Sequence, residues 1–241
     1  MRLSIPKINS LRDAYAFRQH VEASRKNRGL PMIPEFDEFP VYYYGNHNAI
    51  IGAGKVFIES DHFSELDFEL EIAAIIGKRG KNISVQEADL YIAGFTIMND
   101  FSSRAIQKKE MKLNLGPAKG KDFATALGPH LVTKDELAPF RVSSPVGDRY
   151  DLEMKAFHNG IQVSCGNAQD MTWTFAQIIA RISYGTEIYP GDVIGSGTVG
   201  TGCFYETNLI REVPIWLKDG DIIELEITGL GKLRNEICIA R

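Results

Sequence analysis

The 241-residue sequence predicts a mostly β (α+β) fold with a few short helices. Three patterns carry that expectation. Apolar or alternating runs of strand length recur at 66–77, 91–99, 151–158, 161–165, 193–196, 222–227 and 231–240. Turn signals divide them: Asn159-Gly160, Pro190-Gly191-Asp192 and Asp219-Gly220. Helical periodicity is confined to a few stretches. No internal repeat or low-complexity linker interrupts the chain, so a single domain is expected.

The elements follow in order. Ser10 to Arg28 reads as a helix, capped by Ser10 or Asn9 and ending in Arg25-Lys26-Asn27-Arg28 before Gly29. Pro34 and Pro40 forbid a helix in the aromatic-rich stretch Pro31 to Gly45. Leu66 to Gly77 reads as one strand, with Asp67, Glu69 and Glu71 on one face and Phe68, Leu70 and Ile72 on the other. Like charges about 6.7 Å apart repel by about 2.5 kcal/mol at an effective dielectric of about 20. A solvated outer face is the simpler reading of those acids, and a cation held between them is the other. Ser84-x-x-Glu87 has the form of a capping box, Tyr91–Asn99 is a strand ending in Asp100, and Thr174–Ser183 is an amphipathic helix. Asn159-Gly160 signals a type I′ hairpin between 151–158 and 161–165.

Composition excludes several classes of function. A net charge of −4 offers no footprint for nucleic acid or an anionic membrane surface. No apolar run approaches the roughly 20 residues that span a bilayer. Met1–Lys7 lacks the apolar centre of a signal peptide. Cys165, Cys203 and Cys238 are scattered and lack metal-site spacing, which predicts a reducing cytoplasm and small buried thiols.

The chemistry-bearing residues are acidic and basic. Asp13, Glu69, Glu71 and Asp100 stand at element ends, and such hard oxygen donors suit Mg²⁺, Ca²⁺ or Mn²⁺ better than zinc. Arg104, Lys108, Lys109, Lys112, Lys119 and Lys121 make a basic island suited to an anion, with Lys108, Lys109 and Lys112 read as solvated. Of five histidines only His20 lies close to a candidate ligand. On the expected helix it would share a face with Asp13, about 10.5 Å away. Gly195–Gly202 fails the dinucleotide pattern, and Gly116–Lys121 falls one spacer short of a P-loop. A tight turn approaching a ligand is the better reading of Gly195–Gly202.

Glu69-Leu70-Glu71, Asn99-Asp100-Phe101-Ser102-Ser103-Arg104-Ala105-Ile106-Gln107 and Gly120-Lys121-Asp122-Phe123-Ala124-Thr125 together resemble the fumarylacetoacetate hydrolase family. Gly191-Asp192-Val193-Ile194, Gly197-Thr198-Val199-Gly200 and the stretch from Gly220 to Asn235 are similar to its closing blocks. The resemblance implies a mixed β-sandwich roll, usually dimeric, cytoplasmic, and active in the catabolism of aromatic compounds. It implies Asp13, Glu69, Glu71 and Asp100 as ligands of a divalent cation, with Lys121 and Thr125 behind them. His20 is implied as general base with Glu206 as its carboxylate partner, because Ala23 stands where short members carry a glutamate. Tyr15, Tyr43, Arg104, Gln107 and Thr198 are the implied substrate contacts, and Arg104, Gln107 and Lys121 would steady an oxyanion. The long branch of the family carries a further N-terminal domain, and here about a dozen residues precede Asp13, so a lead-in over 1–12 and a stand-alone catalytic domain over 13–241 are expected.

The implied reaction is hydrolysis of a carbon–carbon bond in a 1,3-diketo acid, an acylpyruvate or a fumarylacetoacetate-like anion. The metal would stabilise the departing enolate while His20 with Glu206 activates water. Decarboxylation, hydration or isomerisation of a 2-oxo acid on the same scaffold is the alternative. A non-catalytic, calcium-binding β-sandwich is a third reading, which needs the carboxylates but not His20, Glu206 or Lys121.

Overall fold

A computed structural model describes residues 6–240 of the chain. The leader reading of Met1–Lys7 falls mostly outside the described residues. In chain order the principal elements are β1 (Ser10–Ala14), α1 (Arg18–Asn27), β2 (Tyr42–Gly45), β3 (Ile50–Ile51), β4 (Gly54–Ile58), β5 (Leu70–Ile76), β6 (Ile92–Asp100), α2 (Arg104–Glu110) and β7 (Thr125–Leu127). The second half adds β8 (Glu153–His158), β9 (Ile161–Asn167), α3 (Phe175–Ser183), β10 (Asp192–Gly195), α4 (Phe204–Thr207), β11 (Ile222–Ile227) and β12 (Gly231–Ile239). An eight-stranded sheet runs β2-β1-β10-β5-β6-β7-β3, with Val132–Thr133 also paired to β6. A five-stranded sheet runs β9-β8-β11-β12-β4. Strands dominate and the helices are short, as the sequence predicts, and the larger sheet curls into a half-barrel of the mixed roll type.

Strand β5 explains why the large sheet can hold charge. It is buried on both faces, which its run of Ile and Ala allows. Leu70, Ile72, Ala74 and Ile76 join the main core with Phe95 and Ile97. Ala73 and Ile75 face a smaller apolar cluster with Leu11, Met98 and Val193. Moving two residues along each strand keeps the face. From Leu11, Ala73, Met98 and Val193 that step reaches Asp13, Glu71, Asp100 and Gly195. The apolar cluster therefore gives way to carboxylates at one end of four adjacent strands.

Several expectations are corrected. Ser10–Ala14 is a strand, not the first turn of a helix. It pairs in parallel with β10 and antiparallel with β2, and Ser10 Oγ donates to Asp192 Oδ1 at 2.8 Å instead of capping a helix. The helix begins at Arg18, so Asp13 and His20 do not share a helical face. Two strand partners outweigh local helix propensity here. The strand expected over Leu66–Gly77 breaks at Phe68–Glu69: Leu66–Asp67 pairs with Ser102–Ser103, and β5 starts at Leu70. Its acids are buried, not solvated. Ser84 Oγ donates to the Glu87 carboxylate at 2.9 Å and does not cap the backbone, so no capping box forms there. A reciprocal box forms at Thr174 and Gln177 instead. Pro34 opens a short 3-10 turn over Pro34–Asp37, a first position that proline tolerates. Cys165 is exposed; of the three cysteines only Cys203 is fully buried.

The hairpin signal is realised: Asn159 and Gly160 hold φ of 51° and 82°, both positive as a type I′ turn requires. Among the described residues no helix is long and apolar enough to cross a membrane.

Candidate metal and proton-transfer site

Asp13, Glu69, Glu71 and Asp100 meet at the carboxylate end of β1, β5 and β6, all buried. One oxygen from each lies within 4.8 Å of the others. Gly195 separates β1 from β5 in register, facing Asp13 on one side and Ala73 on the other. A Cβ there would collide with Asp13 Oδ1, Glu71 Oε2 and the Met98 methyl group, so only glycine lets the two carboxylates approach. The next glycine supplies a donor: Gly197 N–H serves Asp13 Oδ1 at 3.0 Å and Glu71 Oε2 at 3.1 Å. The expected tight turn at 195–202 thus brings backbone against the acids.

Two buried cations brace the opposite side. Lys121 Nζ donates to Glu69 Oε2 at 2.5 Å and to Asp100 Oδ2 at 2.8 Å. Arg104 Nη2 donates to Glu69 Oε1 at 2.8 Å, Nε to Asp67 Oδ2 at 2.9 Å and Nη1 to Gln107 Oε1 at 3.1 Å. Asp67 in turn accepts from the backbone amides of Phe204 and Tyr205 at 2.8 and 3.0 Å. Thr125 Oγ1 donates to Asp100 Oδ1 at 3.1 Å, and the Tyr43 hydroxyl donates to Asp100 Oδ2. The expected basic island is therefore split. Arg104 and Lys121 are neutralised by acids of the cluster, while Lys108, Lys109 and Lys112 are exposed, as read.

The electrostatics divide the four acids. Burial, then the Asp100 charge, pushes Asp13 up to about 7. Burial, then Asp13, Glu69 and Asp100, pushes Glu71 well above the usual carboxylate range. Burial also raises Asp100, against the pull of Lys121. Burial acts on Glu69 in the same direction, but Lys121 and Arg104 outweigh it and hold Glu69 below its ordinary value.

The set fits a hard divalent cation. Glu71 Oε1 is buried with no hydrogen-bond partner, an arrangement that costs about 1–3 kcal/mol unless a ligand satisfies it. Trans oxygens lie about 4.2 Å apart around Mg²⁺ and about 4.8 Å apart around Ca²⁺, within the spread these four acids present. All donors are oxygen, which favours Mg²⁺, Mn²⁺ or Ca²⁺ over softer metals.

His20, buried on α1, gives Nδ1 to Glu206 Oε1 on α4. The other Glu206 oxygen accepts from Thr201 N–H at 2.9 Å. Thr201 holds φ of 68°, a region that β-branched residues rarely adopt, and this turns its amide toward Glu206. His20 Nε2 lies 3.5 Å from Ser24 Oγ, and Tyr15 meets the imidazole edge-on at 5.4 Å between centroids. Thr198 is buried and its hydroxyl has no partner. A cleft of about 290 Å³ opens beside Tyr43 and Lys121, lined also by Asn46, Pro117 and Asp122.

Sequence reading gives Asp67, Glu110 and Cys203 no place here, and Gly195 only a share in the expected tight turn at 195–202. Asp67 sits in the acidic stretch it had singled out, but nothing local shows that Arg104 claims it. Glu110 closes the loop that returns Lys121 by accepting from the amides of Ala118, Lys119 and Gly120, and such main-chain partners leave no mark in the side-chain pattern.

A family model for the C-terminal domain of fumarylacetoacetate (FAA) hydrolase matches residues 9–238. The mitochondrial oxaloacetate tautomerase Fahd2a of Rattus norvegicus is 34% identical over 201 residues, covering 82% of this chain and 58% of its own length. Its Homo sapiens counterpart FAHD2A is 33% identical over 213 residues, covering 88% and 62%. The chain thus spans about three-fifths of the length of these curated relatives. A probable 2-hydroxyhepta-2,4-diene-1,7-dioate isomerase from Mycobacterium abscessus superposes with a TM-score of 0.74 at 25% identity, covering 98% of this chain and 78% of the other. Fumarylpyruvate hydrolase from Pseudomonas aeruginosa, solved with Mn²⁺ and pyruvate, shares the fold with a TM-score of 0.76 at 18% identity, covering 100% and 96%.

Proposed function

Because the chain belongs to the fumarylacetoacetate hydrolase family, we propose that it is a divalent-cation-dependent enzyme that moves a proton on a small anionic 2-oxo acid, interconverting keto and enol forms of an oxaloacetate-like substrate. The observation that carries this reading is the pairing of four converging buried carboxylates with a buried His20–Glu206 couple. The names of the relatives at 33–34% identity support the substrate class.

In this reading Asp13, Glu69, Glu71 and Asp100 would hold Mg²⁺, Mn²⁺ or Ca²⁺. When bound, the cation supplies Lewis acidity toward the 2-oxo group and its carboxylate. Glu206, anchored by Thr201, accepts the Nδ1 proton of His20 and so leaves the basic lone pair on Nε2. His20 Nε2 takes the proton from the carbon beside the 2-oxo group and returns it to oxygen. Lys121 and Arg104 hold Glu69 ionised, and Thr125 and Lys121 orient Asp100. Tyr15, Tyr43, Gln107 and Thr198 would contact the substrate. Burial first, with Asp100 next, raises the Tyr43 phenol, so it stays a neutral donor.

The second reading is hydrolysis of a carbon–carbon bond in an acylpyruvate or fumarylacetoacetate-like diketo acid. The His20–Glu206 couple favours it, since the same Nε2 can take a proton from water that attacks the acyl carbon. One experiment separates the two. The chain loaded with Mg²⁺ or Mn²⁺ is given oxaloacetate, with enol absorbance followed, and in parallel a panel of acylpyruvates, with products identified. Accelerated enol–keto exchange that chelation removes is the expected result. Release of pyruvate and a free acid from acylpyruvates would transfer the assignment to the second reading, and silence in both arms would end the two together.

A further inference from the structure

The His20–Glu206 couple has a third buried neighbour that the proposed chemistry does not use. Cys203 Sγ lies 3.9 Å from Glu206 Oε1, the same oxygen that meets the His20 ring. One donor atom from each of His20, Cys203 and Glu206 lies within 4.8 Å of the others. Cys203 is the residue before α4 and Glu206 lies three positions on, so the turn sets sulfur and carboxylate side by side. Imidazole nitrogen, sulfur and carboxylate oxygen are the three protein ligand types of zinc. A tetrahedral ion with bonds of about 2.0–2.3 Å holds its ligand atoms roughly 3.3–3.8 Å apart. Small side-chain shifts from the observed spacing reach that range. The Thr201 amide keeps the other Glu206 oxygen paired, so only Oε1 has to exchange its partner for the metal.

This group differs chemically from the four carboxylates. They offer only oxygen, whereas sulfur selects Zn²⁺, Co²⁺ or Cd²⁺ over Mg²⁺ and Ca²⁺. We propose that His20, Cys203 and Glu206 form a second, inhibitory site for zinc. Zn²⁺ replaces the Cys203 thiol proton, which leaves to solvent, and takes His20 Nδ1 and the Glu206 oxygen out of their mutual hydrogen bond, the Nδ1 proton passing by tautomer exchange to Nε2. With its ring on the metal, His20 no longer takes a proton from substrate. Inhibition therefore rests on the role proposed for His20, while the binding itself does not.

The test uses the chain saturated with excess Mn²⁺, to which Co²⁺ and then Zn²⁺ are added. Co²⁺ reports sulfur ligation by a thiolate-to-cobalt charge-transfer band, which carboxylates cannot produce. One equivalent of Co²⁺ should raise that band in the native chain and in Cys165→Ser, and not in Cys203→Ser or, should that variant unfold, Cys203→Ala. Zn²⁺ should bleach the band and cut turnover at least tenfold, with no relief from further Mn²⁺. In Cys203→Ser, at least tenfold more Zn²⁺ should be needed for the same fractional loss of that variant's own rate. A missing band, or one unchanged in Cys203→Ser, overturns the site. So does inhibition that Mn²⁺ relieves equally in both chains, which is competition at the four carboxylates. A Cys203-dependent band with turnover intact would leave the site standing and remove His20 as the base.

Discussion

Glu71 has one oxygen held by the Gly197 amide and one buried without a partner. Replacing it with glutamine keeps the shape and removes the charge a cation needs. Glu71→Gln should weaken Mn²⁺ binding by at least about 100-fold by calorimetry, since even residues behind metal ligands are worth about 10–100-fold. Unchanged affinity would take Glu71 out of the ligand set. His20 makes the opposite prediction. Its hydrogen-bond partners are Glu206 and Ser24, not an oxygen of the four acids, so His20→Ala should keep Mn²⁺ affinity and lower kcat about 10²–10⁴-fold. Parallel loss of metal would contradict a role in proton transfer. The four acids were legible as hard-oxygen candidates from residue type and place at element ends, and as one ligand set only through the family resemblance. The partner of His20 was legible only through family resemblance, because 186 positions separate it from Glu206.

At the scale of elements, α2 and the loop after it form one device. Arg104 opens the helix on Asp67 and Glu69, and Glu110 ends it. Glu110 accepts from the amides of Ala118, Lys119 and Gly120 at 3.0, 2.7 and 3.1 Å, which closes the loop and returns Lys121 to Glu69 and Asp100. Glu110→Gln exchanges a carboxylate that serves three donors for an amide that cannot serve them equally. Because Glu110 is near the surface, the cost to stability should be about 1 kcal/mol in urea melts. The effect on kcat/KM should be larger, about tenfold, because Lys121 loses its position. A loss in stability with kcat/KM unchanged would show that the loop does not position Lys121. Gly195 is the other device. Gly195→Ala must push Asp13 and Glu71 apart, so it should cost about 1–3 kcal/mol and abolish high-affinity Mn²⁺ binding. Wild-type metal affinity in that variant would refute the argument from close approach. Strand 91–99 was legible as a continuous apolar run, and 222–227 and 231–240 because alternation repeats along them. The helix expected from Ser10 failed because five residues carry too little periodicity to resist two strand partners.

For the whole molecule, bringing like charges into a buried end of the sheet has a pH signature. In the cation-free folded chain Asp13 stays protonated up to about pH 7, against an ordinary value of 3.8 in the unfolded chain. Between those values the folded state binds more protons, so its stability falls as pH rises from about 4 to 7. A divalent cation takes the place of those protons, and its stabilisation grows over the same window. Melting temperature in chelator should therefore drop from pH 5 to pH 7, while millimolar Mn²⁺ should flatten or reverse the slope. Identical slopes with and without Mn²⁺ would mean that no cation enters the cluster.

The order of residues alone determined that this chain is strand-rich and where its hairpin turns, and it offered four acids as hard-cation candidates beside a simpler solvated reading, because side-chain period, turn chemistry and donor type are local properties. Tertiary structure decided that Ser10–Ala14 joins the sheet, that Asp67 serves Arg104, and that Gly195 lets Asp13 meet Glu71. Each of these depends on strand register between segments far apart in sequence, and register is set by which faces the assembled core can bury.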